Sequence, residues 1–386
     1  MRIAWFRATP PSIAPLIEGR DALLAELQQD FQITVITARE AHGFVVDADR
    51  RRFDLSVYEM TNRRDGDFIW PYLFHYPGVL LLSTETLHDS RTRILEPVLA
   101  RSEYVEEFTF NHGVPPDYRP GVFLRGSWPM LRAPLLASRL TVVEDDGWRQ
   151  GLVDAYPDAR VRTVPPCAAG PETALVTAPP KGPLVVQLLE PASDALVRRA
   201  VARASTPDAP ITVSDAGPTS IDPSSHVVLA LQPGPASSVA PALAGMAHSK
   251  VVVVIEREAT AIWDALDPQT WRPRDPGNRQ PFVISLDPRD EEHSLVLVLK
   301  RLAADAVLRA ELSRKARAWW ALHHTPVQAA AAWRDVLREA QHLEPIPHPD
   351  GWPRFTEADG TRRLHALLDE VGLTGFDWDR LPTQKP

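Results

Sequence analysis

Short groups of residues along this chain have types and spacings able to do chemistry. Glu85 and His88 follow the apolar run Val79-Leu80-Leu81-Leu82. A carboxylate and an imidazole at the end of a buried strand can both move protons near neutral pH, which makes the pair a candidate base and orienter for a transfer reaction. Glu85 equally suits a solvated helix N-terminus, where the dipole favours negative charge. Gly234-Pro235-Ala236-Ser237-Ser238 precedes an apolar helical stretch. Hydroxyls and backbone N–H groups there can hold a phosphate, and Ser237 can equally serve as an ordinary cap. Asn62-Arg63-Arg64-Asp65-Gly66-Asp67 is a polar loop at another strand end. Its arginines can bind an anion through paired N–H groups, or the loop is a surface turn. Arg7, just after the first strand, is a similar case.

Other notable side chains read as structural. Trp319, Trp320 and Trp333 fall on helical stretches and suit packing. His323 and His324 precede Thr325-Pro326 at a helix end, where polar caps are usual. They lack a third ligand at metal spacing, so neither a metal nor a cofactor is expected. Cys167 is the sole cysteine, which excludes an internal disulfide and a Cys-based zinc site.

The elements that must position these groups alternate between strand and helix. Apolar runs at Arg2 to Phe6, Phe31 to Thr37, Leu55 to Glu59, Gly78 to Leu82, Leu140 to Val143 and Val161 to Val164 read as strands. Helical spacing is expected over Ile17 to Asp30, Phe68 to Tyr76 and Asp146 to Tyr156. Continuous runs such as Val79 to Leu82 suit parallel strands covered on both faces. After the Pro- and Gly-punctuated stretch Pro165 to Pro183 the alternation restarts, with strands at Leu184 to Leu188, Ile211 to Ser214, His226 to Leu231, Val251 to Ile255 and Phe282 to Leu286. Helices are expected at Ser193 to Ala204, Ser237 to Ala247, Glu291 to Ala304, Ala306 to Leu322 and Pro326 to Gln341. The economical reading is an α/β chain of two doubly wound units. They span 1–165 and 183–340, with a linker at 166–182 and a Pro-rich tail at 341–386. The tail carries one more helix near Gly360 to Val371 and is able to return to the first unit.

Composition narrows the function classes. The 386 residues suffice for two domains with sizeable cores. Fifty acids against 42 bases give a net charge of -8, which argues against nucleic acid as a partner. No apolar run approaches the roughly 18 residues that span a bilayer. The chain opens directly on a strand rather than on a leader, so a cytoplasmic location is expected. Proline, at 38 residues, is about twice its usual share, and glycine, at 19, is below it. A Gly-poor chain has few loops able to wrap phosphate.

Several stretches resemble family 4 glycosyltransferases of bacteria. Pro77-Gly78-Val79-Leu80-Leu81-Leu82, preceded by Tyr58, Asn62 and Phe68-Ile69-Trp70-Pro71-Tyr72, is similar to their N-terminal domain. Val161-Arg162-Thr163-Val164-Pro165-Pro166 resembles the strand that enters the interdomain linker. Ala316-Arg317-Ala318-Trp319-Trp320-Ala321-Leu322-His323-His324-Thr325-Pro326, with the Ala-rich helix through Trp333, looks like the closing helices. The resemblance implies a GT-B fold: two Rossmann-like domains facing across a cleft, acceptor on the first and nucleotide-sugar donor on the second. It also implies metal-independent transfer that rests on stabilising the departing diphosphate, a task for cations and a helix N-terminus.

The sequence departs from the family where that chemistry lies. Ser83 stands at the position of the family's catalytic histidine. Leu189-Glu190-Pro191-Ala192 stands where an arginine and a lysine are expected, and Pro233 to Lys250 lacks the paired glutamates. Ala8-Thr9-Pro10-Pro11-Ser12-Ile13 replaces a Gly-rich loop. Two expectations follow. The first is a glycosyltransferase moving a sugar from a nucleotide-sugar donor to a glycan or small-molecule acceptor. Its catalytic candidates are Glu85 and His88, its donor contacts Glu190, Gly234, Ser237 and Ser238, and its acceptor contacts Ser12, Asn62 and Arg63. The second is a catalytically degenerate GT-B protein that binds a partner protein or a glycan without turnover.

Overall fold

Buried runs of valine, leucine and isoleucine set the strands, and a computed structural model shows how they assemble. It describes residues 1–8, 14–49, 52–96, 101–117, 128–171, 182–189, 193–216, 220–231, 239–256, 260, 263–275, 277 and 280–357. The first sheet contains β1 (Arg2–Phe6), β2 (Gln32–Ile36), β3 (Leu55–Met60), β4 (Val79–Leu82), β5 (Leu140–Val143) and β6 (Val161–Thr163). All pairings are parallel, in the order β2-β1-β3-β4-β5-β6. The interleaved helices are α1 (Ala14–Leu27), α2 (Ala41–Asp49), α3 (Trp70–His75), α4 (His88–Leu95), α5 (Arg101–His112), α6 (Arg132–Ala137) and α7 (Asp146–Ala155). Every residue of β4 and β5 is buried, as a parallel sheet covered on both faces requires.

The second sheet repeats the plan with β7 (Leu184–Leu188), β8 (Ile211–Val213), β9 (Val227–Ala230), β10 (Val251–Ile255), β11 (Ala265–Leu266) and β12 (Val283–Leu286). It is parallel too, in the order β11-β12-β10-β9-β7-β8. Its helices are α8 (Asp194–Ala204), α9 (Ala240–Ala247), α10 (Glu291–Ala304) and α11 (Ala306–His323). The strand order reverses between β1 and β3 in one sheet and between β7 and β9 in the other. Such reversals open a crevice at the carboxyl ends of open α/β sheets. Among the described residues no helix is long and apolar enough to cross a membrane.

The last long helix, α12 (Pro326–His342), packs on the first sheet. A capping box starts it: Gln328 N–H donates to Thr325 Oγ1 while Gln328 Oε1 accepts from the Thr325 N–H, and Pro326 fills the first turn. Ala329, Ala330, Trp333, Val336, Leu337 and Ala340 then share one core with Ile3, Trp5, Val57 and Val142. Trp333 is fully buried, 5.1 Å from the Trp5 ring. The chain thus passes twice between the sheets, and the two passages hold each other: His324 Nδ1 lies 2.7 Å from the Pro166 carbonyl and Trp320 Nε1 donates to the Ala168 carbonyl at 3.2 Å.

Local differences from the sequence reading have simple causes. The helix expected over Phe68 to Tyr76 is divided into a 3₁₀ segment, Arg64–Ile69, and α3, because Pro71 favours a new first turn there. α1 starts at Ala14 and ends at Leu27, where a turn through Asp30 leads into β2. The helix expected from Ser237 is described from Ala240 onward.

Candidate functional site

Parallel strands deliver their following residues to one rim, and the carboxyl ends of the first sheet gather a charged group. Arg7 follows β1 and pairs with Asp21 at 2.5 Å. Glu59 sits near the end of β3, on the face shared with Trp5, and accepts from Trp5 Nε1 at 2.6 Å. Glu144 directly follows β5 and receives the Arg20 guanidinium of α1 at 2.5 Å. Arg20 is only 7% exposed. Burial works against its charge, but Glu144 and Glu59 outweigh that and hold its pKa above the ordinary arginine range. The linker closes this corner: Cys167 Sγ lies 3.6 Å from the Gly19 carbonyl, and a Cβ on Gly19 would stand 2.7 Å from the Cys167 carbonyl oxygen. Burial pushes the Cys167 thiol up to about 11, so it is no ready nucleophile.

A second polar group lies beyond β3 and β4. Asn62 uses both ends of its amide: Nδ2 donates to Asp89 at 3.0 Å, and Oδ1 accepts the Ser90 N–H at 2.9 Å. Ser90 Oγ donates to Asp67 at 2.6 Å and accepts from Trp70 Nε1 at 2.8 Å. Arg93 donates to both Asp67 oxygens at 2.9 Å. Arg63 is exposed and reaches Asp65 at 3.3 Å. Behind this group Arg91 and Glu107, both fully buried, form a bidentate pair, with the guanidinium 4.2 Å over the Trp70 ring.

Of the residues singled out from sequence, Glu85 is half-buried in the loop between β4 and α4. His88 begins α4 and is 1% exposed. Its Nδ1 lies 2.7 Å from the Trp128 carbonyl, in the segment before α6, and its Nε2 3.1 Å from the Tyr104 hydroxyl of α5, so both ring nitrogens are engaged. That geometry makes His88 a connector behind the loop that carries Glu85. Ser83 directly follows β4 and is half-buried, its N–H on the Met60 carbonyl at 3.4 Å. Asn62 and Arg63 share one loop, as read. Ser12, Glu190, Gly234, Ser237 and Ser238 lie outside the described residues.

The sequence reading did not select Glu59, Glu144 or Arg20. Glu144 carried a usable signal, an acid at the first position after the apolar run Leu140 to Val143. At the matching rim of the second sheet, Arg274 pairs with Glu256 after β10 and donates to the Ser285 carbonyl at 2.9 Å. α9, which lies within the stretch Pro233 to Lys250, has no acid and is buried throughout.

No family model matches the sequence, and no curated protein sequence matches it. Solved structures do match. The chain is similar to sucrose-phosphate synthase from Thermosynechococcus elongatus, with a TM-score of 0.55 and 10% identity over 88% of this chain and 98% of that one. It is similar to Anabaena HepE, solved with UDP and glucose, with a TM-score of 0.52 and 11% identity over 88% of this chain and all of that one. WaaG, a glycosyltransferase involved in lipopolysaccharide biosynthesis, aligns with a TM-score of 0.51 and 9% identity over 87% of this chain and 99% of that one. At these identities the likeness establishes the architecture. The chain has the GT-B fold.

Proposed function

We propose that this chain is a metal-independent glycosyltransferase, moving a sugar from a nucleotide-sugar donor at the second sheet to a glycan or small-molecule acceptor at the first. The observation that carries this reading is the pair of parallel sheets, each with its strand order reversed at one point, in an arrangement shared with a protein solved with UDP-glucose. In this reading Glu85 takes the proton of the acceptor hydroxyl and His88 positions the loop behind it. Asn62 and Arg63, with Ser12, face the acceptor. Backbone N–H groups and hydroxyls at Gly234, Ser237 and Ser238, with Glu190 nearby, meet the donor, because a helix start stabilises the charge gained by a departing diphosphate.

A second reading has its own support. Five described arginines at or beside the two rims, Arg7, Arg20, Arg63, Arg93 and Arg274, each already carry a carboxylate partner. A diphosphate leaving group needs positive charge that is not already spent. This favours a GT-B protein that binds a partner protein or a glycan without turnover.

Thermal unfolding in the presence of UDP, GDP, TDP and ADP separates the two. A nucleotide at 100 times its dissociation constant adds about 2.7 kcal/mol to stability. The transferase reading expects a clear upward shift with one of the four. A flat response to all of them overturns it and leaves the binding reading.

A further inference from the structure

After α12 the chain wraps the edge of the first sheet. Leu343 packs on the face that carries α12, Arg160 donates to the Glu344 carbonyl at 2.7 Å, and Ile346 packs on the opposite face. A turn follows over Pro349, Asp350, Gly351 and Trp352, closed by the Trp352 N–H on the Pro349 carbonyl at 3.2 Å. Gly351 has φ +79, the left-handed value that a type II turn needs at its third position. The turn drives Trp352 inward to 7% exposure, edge-on to Phe110 at 5.2 Å and under the His348 ring at 4.1 Å. Asp350 is left exposed at its tip.

Between this turn, α5 and α6 lies an open surface pocket of about 460 Å³, a volume within the range of small-molecule sites. Phe110 and Trp352 contribute its apolar lining. Arg132 lies 4.5 Å over the Phe110 ring and donates one N–H to the Phe110 carbonyl at 2.9 Å. Glu106 Oε1 accepts the Arg354 backbone N–H at 2.8 Å. Among the described residues, neither the Arg132 and Arg354 guanidiniums nor the Asp350 carboxylate enters an ion pair. Trp352 Nε1–H, moreover, is buried without an acceptor, an unspent donor beside the pocket.

We propose that this pocket is a second ligand site, taking a neutral saccharide. Charge balance decides the class. Two guanidiniums and two carboxylates line it, so an anion drawn to Arg132 and Arg354 meets Glu106 and Asp350 as well. A neutral polyol satisfies both signs: guanidinium N–H groups donate to its oxygens, and the carboxylates accept from its hydroxyls. The C–H face of a pyranose suits the apolar edges of Phe110 and Trp352. None of the lining residues belongs to the rims described above, so this site stands apart from the donor reading and can hold whether or not that reading does.

Saturation-transfer NMR on the full chain with glucose, galactose, mannose and N-acetylglucosamine tests the proposal. Transfer is expected to at least one of the four, undisturbed by added UDP. Binding should weaken about tenfold in Asp350→Asn and in Arg354→Gln, the loss of one hydrogen bond to a charged group. Both positions are exposed, so both variants should fold, and unchanged circular dichroism verifies it. The proposal is overturned by silence from all four sugars, by binding that neither substitution weakens, by displacement with UDP, or by tighter binding of glucose 6-phosphate than of glucose. The nucleotide thermal-shift test runs on the same variants and should be unaltered by them, which keeps the two readings separable.

Discussion

Arg20 on α1 donates to Glu144 at the end of β5 across 2.5 Å, joining positions 124 residues apart in sequence. The guanidinium also feels Glu59, so a single buried cation balances two carboxylates where the linker meets the first sheet. Removing one partner of such a pair leaves an uncompensated buried charge, at a cost of about 3–5 kcal/mol. Arg20→Met is therefore expected to lower the unfolding free energy extracted from urea titration by an amount in that range, and Arg20→Met with Glu144→Leu to recover part of it. A single substitution that costs less than about 1 kcal/mol would contradict this account.

Trp333 ties the second passage of the chain to the first sheet through Trp5. Truncating a buried tryptophan to alanine costs about 3–5 kcal/mol. Trp333→Ala should loosen α12, with faster tryptic cleavage at Arg334 and Arg338. Arg334 is tied to Asp30 at 2.5 Å and to the Glu26 carbonyl at 3.1 Å in the intact protein, and both contacts depend on the docked helix. Cleavage elsewhere first, with these bonds untouched, would show that α12 is held by something other than Trp333.

The doubly wound plan was legible in the sequence because parallel strands must be buried on both faces, and runs such as Val79 to Leu82 have no other use. The destination of α12 was not. Spacing of Ala329, Trp333, Val336 and Ala340 marks a buried face but does not say which sheet covers it. The same limit hid Arg20, Glu59 and Glu144. Each is an ordinary charged residue in sequence, and only the fold brings them to one corner. His88 shows the reverse case: its type suggested chemistry, while Trp128 and Tyr104, distant in sequence, engage its ring.

Glu85 is the proposed base, and its test is kinetic. With the nucleotide identified by thermal shift, Glu85→Gln should reduce transfer by about 10² to 10⁴ while the nucleotide-induced shift remains. A variant that keeps full turnover removes Glu85 from the mechanism, and one that loses the nucleotide shift as well assigns it to binding.

Cys167 offers a chemical probe of the linker corner. Its thiol is buried and its pKa raised by burial to about 11, so the thiolate is scarce at pH 8. Alkylation by iodoacetamide at that pH should be slow in the native protein and rapid in urea. Fast native labelling would mean that the linker separates readily from Gly19.

His112 gives the pH dependence a definite sign. Burial, aided by neighbouring His88, pushes its pKa down to about 4 from the ordinary 6.5. Above pH 6.5 the imidazole is neutral in both folded and unfolded chains, so it contributes no pH dependence there. Between 6.5 and 4 the unfolded chain takes up a proton that the folded one refuses, so stability falls as pH falls through this window. Below 4 both forms are protonated and the dependence levels off. Solvent reaches part of this ring and screens its charge, so His112 alone should account for about 1–2 kcal/mol lost between pH 7 and pH 4. His226 and His324, also lowered chiefly by burial, act in the same direction, so the total must be divided by substitution. Urea midpoints measured across this range for the wild type and for His112→Gln should converge as the pH drops, because the variant lacks the group that penalises folding in acid. Parallel curves would assign the acid sensitivity to the other histidines.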